Sequence, residues 1–452
     1  MNNEFDILLV NAPSPNPIIF LEAFKSQGMP SLGLCYLATI LKQENYSVKI
    51  IDMLFPNITM NTVMQYILNY KIKIIGISCS TETYLQAVRL ANIVKKAYED
   101  CIIVLGGPHV SFEYQSALSN DVIDYVVLNE GEISFKKLCN YYLRGVGQLK
   151  DINGIAYIKN NTVHLSDAQK YIPDLDVLPI PDRLIYDNFY NYPLAPTIST
   201  SRGCPGNCIF CAASALSGGK YRMRSVQSII AEIEYLKSLG FNDIYFVDDT
   251  MTISIKRMHK LMDELISNDL RISWFCESRV DAVDKDILFK MKSAGLAIIQ
   301  FGVESGDQGI LDSIKKEITL QQIRNVFKWC QELGISTHTN MIIGQPSDNL
   351  KTIKNTVGMA KEIIKMGGIV SLSICTPFPG TPIWQNPKNY EIEIIDNDLE
   401  NYNTFNPVFS SKFLTNTEIR NEYYNAVSEI KKISKIYNDE TIKAKGTRIS
   451  PT

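Results

Sequence analysis

Along most of the chain, short runs of β-branched and other apolar residues alternate with amphipathic runs of helical length. This alternation is the strongest constraint on the fold, because strand, crossover helix and parallel strand form the repeating unit of α/β proteins. In a first array, strands are expected at residues 7–10, 48–52, 74–78, 102–105 and 124–128, and helices at 34–44, 61–69, 85–98, 112–118 and 132–142. Five such strands predict an open, doubly wound sheet of flavodoxin-like type, with its ligand site at the carboxyl ends of the strands. In a second array, strands are expected at 197–200, 243–247, 272–275, 298–302, 337–343 and 369–374, and helices at 225–239, 256–267, 284–294, 320–333 and 350–366.

A chain of 452 residues has room for two or three domains. The arrays divide it into a first domain at 1–146, a linker at 147–193, a second domain at 194–385 and a C-terminal region at 386–452. The linker carries a hairpin pattern at 154–158 and 161–165, then Pro173, Pro179 and Pro181. Residues 396–405 are polar and aromatic, and 418–437 has the pattern of an amphipathic helix. Lys and Arg number 45 against 48 Asp and Glu, a net charge of -3. With no basic excess to neutralise phosphates, nucleic acid is not an expected partner. Apolar runs such as 7–10 and 101–105 fall far short of the roughly 18 residues that a spanning helix requires. Acidic Glu4 and Asp6 stand where a signal peptide would be basic, so a cytoplasmic location with no membrane partner is expected.

Three features share the expected ligand edge of the first array. Residues 11–31 form a long connection with four prolines, Ser78-Cys79-Ser80-Thr81 follows the third strand, and Gly106-Gly107-Pro108-His109 follows the fourth. Each alone reads as a turn. Together they favour a bound cofactor, with Ser78 and Ser80 as hydrogen-bonding groups and Gly106 and Gly107 making room for it.

Seven of the ten cysteines are scattered, at 35, 79, 101, 139, 276, 330 and 375, mostly in or beside apolar stretches, where a thiol behaves as a small hydrophobe. Cys204, Cys208 and Cys211 are bunched as C-x3-C-x2-C. Three thiolates so close in sequence can wrap one soft metal centre. A closed zinc site calls for four ligands, and the nearest histidines are His164 and His259. A [4Fe-4S] cluster on three cysteines leaves one iron open for a substrate or cosubstrate.

The segment Ser201-Arg202-Gly203-Cys204-Pro205-Gly206-Asn207-Cys208-Ile209-Phe210-Cys211 closely resembles the motif of the radical S-adenosylmethionine (SAM) superfamily. That resemblance implies a partial (β/α)6 barrel for the second array, with a reactive face at its C-terminal strand ends. Those ends carry Asp248-Asp249, Glu277-Ser278-Arg279-Val280-Asp281, Gly302-Val303-Glu304-Ser305-Gly306 and Met341-Ile342-Ile343-Gly344-Gln345-Pro346. The resemblance assigns Asp249 to the SAM ammonium and places Glu304 and Ser305 near SAM. Arg279 can fork onto the SAM carboxylate, and backbone edges after the fifth strand can meet adenine.

A doubly wound domain ahead of such a barrel resembles the cobalamin-binding branch of that superfamily, over roughly residues 5 to 385. Family-like strings are Pro30-Ser31-Leu32-Gly33-Leu34-Cys35-Tyr36-Leu37-Ala38, Glu130-Gly131-Glu132, Arg222-Met223-Arg224-Ser225 and Thr376-Pro377-Phe378-Pro379-Gly380-Thr381-Pro382. Many cobalamin domains carry D-x-H-x-x-G after the first strand. Here that position reads Asn11-Ala12-Pro13-Ser14-Pro15, so base-off cobalamin without a histidine ligand is expected, and His109 is assigned hydrogen bonding instead.

The resemblance implies a [4Fe-4S] cluster, SAM and methylcobalamin as cofactors, and methyl transfer to an unactivated carbon after hydrogen abstraction by a 5'-deoxyadenosyl radical. It also implies a small-molecule or peptide substrate and an external electron donor such as flavodoxin or ferredoxin. Another cobalamin-dependent rearrangement, cyclisation or oxidation is one alternative. A methylthiotransferase is a second, but Cys35, Cys79 and Cys139 are not placed like a second cluster set. A metal-dependent structural or regulatory protein is the third.

Overall fold

The computed structural model describes residues 5–15, 29–55, 58–186, 189–191 and 195–445. Most of the long connection after the first strand, the 193/194 boundary and the basic C-terminus lie outside the described residues. Two compact units divide the chain: Met1–Ile198 with Ala215–Ser228 and Asp398–Glu400, and Ser199–Ser214 with Ile229–Asn397 and Asn401–Thr452.

In the first unit, β1 (Ile7–Asn11), β2 (Val48–Asp52), β3 (Ile74–Ser78), β4 (Ile102–Gly106) and β5 (Tyr125–Val127) are joined by β6 (Ile155–Lys159) and β7 (Thr162–Leu165). The sheet order is β2-β1-β3-β4-β5-β6-β7. Its first five strands have the flavodoxin-like order, with the point where the strand order reverses lying between β1 and β3. Strands β1 to β5 pair in parallel, whereas β6 pairs antiparallel to β5 and β7 to β6. The hairpin read as part of a linker therefore extends this sheet. Ile7, Leu8, Val10, Ile74 and Ile103 are fully buried, as the uninterrupted apolar runs of a parallel sheet covered on both faces require.

Helices form where their caps stand. Ser31 caps Leu32–Gln43 by accepting from the Leu34 amide, which explains one of the family-like strings locally. The expected single helix at 112–118 is two short ones, Pro108–Phe112 and Tyr114–Leu118. Proline at the first helical position, after Gly107, starts the first of them earlier than hydrophobic periodicity alone indicates.

The six strands expected of the second array all form. The first, β8 (Thr197–Ile198), is followed by the two-residue strands β9 (Ser201–Arg202) and β10 (Arg222–Met223). Then β11 (Asp243–Phe246), β12 (Ser273–Ser278), β13 (Leu296–Glu304), β14 (Ser336–Ile343) and β15 (Ile369–Ile374) pair in consecutive parallel order. Helices Ile255–Ser267, Lys285–Ser293, Leu320–Leu333 and Leu350–Lys365 alternate with them. The C-terminal helix, Asn416–Lys445, is longer than its amphipathic pattern and packs on Leu350–Lys365 and β15. Before it, β16 (Ile392–Ile394) and β17 (Phe409–Ser411) form an antiparallel pair that the sequence did not announce.

Candidate active site

At the carboxyl ends of β11 to β15 lies a cavity of about 370 Å³. Cys204, Cys208, Cys211, Asp249, Arg279 and Glu304 all line it, so the second unit gathers six separated expected residues. The seven scattered cysteines are buried; Cys204 and Cys208 are half-buried and Cys211 is exposed. Among the described residues, no three His, Cys, Asp or Glu side chains converge closely enough to hold a single metal ion. The three thiols instead stand around one cavity. Burial pushes the Cys208 thiol up, opposed by the neighbouring Lys316 charge and, more weakly, by Arg279.

Lys316 was not singled out in the sequence. It is buried and forms a 2.6 Å ion pair with Glu304, each side chain 8% exposed. Burial works to lower the Lys316 ammonium, but Glu304 and Cys208 outweigh it and hold it above its ordinary value. A Cβ on Gly302 would stand 2.5 Å from Glu304 Oε1 and 2.7 Å from Lys316 Nζ, so the glycine of the G-x-E-S-G segment makes room for this pair. Glu304 itself has a left-handed φ of 65°, a strain that surrounding contacts must hold in place.

Arg279 reaches the cavity with its fork closed. Nε and Nη2 each donate to Asp281 at 2.9 Å, and Nη2 also donates to the Lys316 carbonyl at 2.7 Å. Its remaining nitrogen, Nη1, stands 3.6 Å from the place a Cβ of Gly206 would take in the cysteine loop. The fork expected for a ligand carboxylate is thus held by a carboxylate two residues along the chain.

Asp248 and Asp249 part company. Successive residues of an extended segment point to opposite sides, and only Asp249 lines the cavity. Asp248 is buried and accepts from the Thr200 amide, the Thr200 hydroxyl at 3.0 Å and the Ser201 hydroxyl. Arg257 donates to the Thr200 carbonyl at 2.7 Å, completing a brace under the strand that leads into the cysteine loop. Ser305 is also absent from the cavity lining; its hydroxyl meets Thr356 at 3.0 Å and accepts from the Asp307 amide. After β14, Ile342 lines the cavity, while the Gln345 carboxamide is buried with no hydrogen-bond partner among the described residues.

Several lining residues were not read from the sequence: Lys316, Gln300, Asn340, Ser373 and Thr404. The last comes from the C-terminal region, where the Thr404 carbonyl accepts from the Ile374 amide at 2.7 Å. Strand alternation was the available signal for Gln300, Asn340 and Ser373, since each shares a strand face with a residue nearer the rim.

In the first unit, Asn11, Ser78 and Gly106 stand side by side in register at the carboxyl edge. Ser80 is exposed and shares a hydrogen bond with Thr83 at 3.2 Å. The glycine pair divides its duties. A Cβ at Gly106 would meet only the Val127 carbonyl, at 3.9 Å, leaving the space expected for a ligand. Gly107 has a φ of 102°, and a Cβ there would stand 2.5 Å from the Cys79 carbonyl oxygen, so the space beside it belongs to the chain's own backbone. His109 is 1% exposed and its Nδ1 shares a hydrogen bond with Thr81 at 3.2 Å, the role assigned from sequence; its Nε2 has no partner among the described residues. Glu130 and Arg222, from two family-like strings, form a buried bidentate pair at 2.8 and 3.0 Å, and Arg222 also donates to the Ile172 carbonyl.

Residues 26–138 match the B12 binding domain family and residues 198–360 match the radical SAM superfamily. An uncharacterized methyltransferase of Pyrococcus horikoshii is 33% identical over 86% of this chain and 85% of its own length. The anaerobic magnesium-protoporphyrin IX monomethyl ester cyclase of Rubrivivax gelatinosus is 28% identical over 86% of this chain and 71% of its own length. Among solved structures, the cobalamin-dependent SAM radical enzyme OxsB with aqua-cobalamin bound superposes with a TM-score of 0.77 at 20% identity; the match covers 92% of this chain and 66% of OxsB. With its cysteine loop opening the barrel mouth and a B12-type domain ahead of it, the chain belongs to the cobalamin-binding branch of the radical SAM superfamily.

Proposed function

We propose that this protein is a cobalamin-dependent radical SAM methyltransferase that methylates an unactivated carbon. The observation that carries the reading is the pairing, on one chain, of a three-thiol cavity at a barrel mouth with a B12-type domain, in a sequence that over 86% of its length is 33% identical to the uncharacterized methyltransferase of P. horikoshii. When bound, the [4Fe-4S] cluster with SAM supplies hydrogen abstraction, and methylcobalamin supplies the methyl group.

The residues present fit these groups. Cys204, Cys208 and Cys211 would hold the cluster: each thiolate of such a cluster takes its own iron, so its ligands stand further apart than those of a single ion, consistent with three thiols spread around one cavity. Burial raises the Cys208 thiol, and the positive charges of Lys316 and Arg279 beside it work in the opposite direction, toward the thiolate. Asp249 would accept from the SAM ammonium, and Arg279 would meet the SAM carboxylate through Nη1. In the first unit, Ser78, Ser80 and Gly106 would hold the cobalamin tail. His109, buried and bonded to Thr81, would stay off the cobalt.

The substrate in this reading is a small molecule or peptide, reduction comes from an external donor such as flavodoxin or ferredoxin, and the enzyme acts in the cytoplasm. Among the described residues no helix is long and apolar enough to cross a membrane. The likeness to the R. gelatinosus cyclase supports a second reading, a cobalamin-dependent cyclisation.

Anaerobic reconstitution followed by iron, sulfide and cobalt counts and a SAM cleavage assay tests the proposal. About four irons and one cobalt per chain are expected. Replacing all three cysteines with alanine should remove both the iron and SAM cleavage. Retention of the iron by that variant would overturn the cluster assignment. Electron paramagnetic resonance of the cob(II)alamin form should show no nitrogen superhyperfine splitting, whereas a split signal would mean a histidine or base ligand.

A further inference from the structure

The loop that carries the three thiols is anchored at its two ends by different means. Its far end is held largely through the main chain. The Ile209 amide donates to the Ile314 carbonyl at 3.2 Å, and the Ile383 amide donates to the Ile209 carbonyl at 3.3 Å. The Cys208 thiol meets the Lys315 carbonyl at 3.7 Å, and the Cys211 amide donates to the Cys208 carbonyl at 3.2 Å. The near end, residues 199–203, is held by buried ionisable side chains instead.

Thr200 is the centre of that hold: it is fully buried, and its amide, carbonyl and hydroxyl are all engaged. The amide and the hydroxyl each donate to Asp248 Oδ1 at 3.0 Å. Arg257 Nη1 donates to the Thr200 carbonyl at 2.7 Å, and Arg257 Nη2 donates to the Thr200 hydroxyl at 2.9 Å. Arg257 lies in the first turn of Ile255–Ser267 and also donates to the Met251 carbonyl at 3.2 Å, so its own place is fixed. The next residue, Ser201, gives its hydroxyl to Asp248 as well. Stability alone is a poor reason to bury a carboxyl and a guanidinium, since apolar side chains of similar volume do as well or better. What the two supply is direction, because hydrogen bonds to every polar group of one residue leave it a single orientation.

From Thr200 the first thiol is only four residues away. The Gly203 amide donates to the Asp249 carboxylate, and Gly203 turns the chain at a left-handed φ of 92°. Cys204 follows, and the Gly206 amide stands 3.4 Å from its sulfur, a long contact. The place of Cys204 therefore depends on the residues that lead into it, whereas Cys208 and Cys211 are set from the far end. Ligands of a metal centre keep their geometry through the groups that hold them from behind.

We propose that Asp248 and Arg257 are positioning residues of the cluster site: by gripping Thr200 they set where Cys204 stands relative to Cys208 and Cys211, and so whether the three thiols match one [4Fe-4S] cluster. This rests on the enzyme reading above and adds two residues to its machinery.

The test follows each cysteine separately. The iron-free full chain is alkylated with iodoacetamide and the rate at every cysteine is read by mass spectrometry. Asp248→Leu should speed the reaction of Cys204 about ten-fold, the loss of roughly one charge-assisted hydrogen bond. Asp248→Asn keeps one accepting oxygen and should restore part of the protection. Cys208 and Cys211 should keep their wild-type rates, and buried Cys276 and Cys330 should stay unreactive. In the reconstituted chain, a ferrous chelator should strip iron fastest from Asp248→Leu, more slowly from Asp248→Asn and slowest from the wild type. An unchanged Cys204 rate, an equal rise at Cys208 and Cys211, or Asp248→Asn no better protected than Asp248→Leu would each overturn the proposal. So would parallel labelling of Cys276 and Cys330 in both variants, which would make Asp248 a support of the whole fold. Should Asp248→Leu fail to fold, Thr200→Val gives the same reading: it keeps the shape, removes one hydroxyl and should speed Cys204 alone, about three-fold. Wild-type SAM cleavage is measured alongside: its absence sinks the enzyme reading, whereas the cysteine rates are read without cluster or SAM.

Discussion

Glu304 and Lys316 show how one residue's meaning depends on its partner. Removing one member of a buried ion pair leaves the other charged and dry, whereas removing both leaves only a packing defect. Lys316→Met is therefore expected to cost roughly 3–5 kcal/mol, and Glu304→Gln with Lys316→Met to cost less than the sum of the single changes, read from urea unfolding of the metal-free chain. The glutamate was legible in the sequence because it sits in a G-x-E-S-G string at a strand end. Its lysine partner was not, because twelve residues and a helical turn separate them and nothing local marks Lys316 as buried. His109 gives a second test at this scale. Burial lowers its ring from the ordinary 6.5 to about 4. Between those values the unfolded chain carries a proton that the folded chain does not, so stability is fully present above pH 6.5 and is lost as pH falls toward 4. Its contribution is on the order of 3 kcal/mol. His109→Gln should flatten that part of the stability profile, measured from urea midpoints across the range; an unchanged slope would assign the acid sensitivity to other groups.

At the scale of elements, the edge of the first sheet separates what glycine does for the chain from what it does for a ligand. Gly107 precedes the helix Pro108–Phe112 in a conformation reserved for glycine, pressed against Cys79. Gly107→Ala is expected to destabilise by roughly 1–3 kcal/mol from backbone strain alone, and more once Cys79 must shift, with or without cobalamin. Gly106→Ser meets only the Val127 carbonyl, so it should leave the unfolding midpoint nearly unchanged and reduce cobalamin uptake. Uptake equal to wild type would move the tail path away from Gly106. The same distinction between strand faces separates Asp248 from Asp249: strand periodicity reveals that one of the two turns inward, but which one depends on where the strand ends and the pleat breaks. The strand positions themselves were legible almost throughout, because a run such as Ile74–Ser78 has few alternatives to a parallel, doubly covered strand.

For the whole molecule, the C-terminal region apart from Asp398–Glu400 belongs to the second unit, where its sequence showed a polar and aromatic stretch and the pattern of an amphipathic helix. Ile419 of Asn416–Lys445 is 1% exposed and packs against Gly344, just beyond β14. Ile419→Ala should cost about 2–4 kcal/mol through the cavity it leaves, and thermal melting should register it; a change below about 0.5 kcal/mol would mean that the helix end is loosely held. By itself the sequence determined the order of strands and helices, the two α/β arrays, the cysteine motif and the family it points to. All of these are written in local pattern: apolar periodicity, caps and the spacing of three thiols within eight residues. Only the tertiary structure decided that Lys316 closes on Glu304, that Asp281 holds the Arg279 fork, that Gly107 serves Cys79, and that Asp248 and Arg257 grip Thr200. Each of these joins residues by strand register, burial or a turn of the chain, and a pairing set by register has no signature in either partner's own neighbourhood.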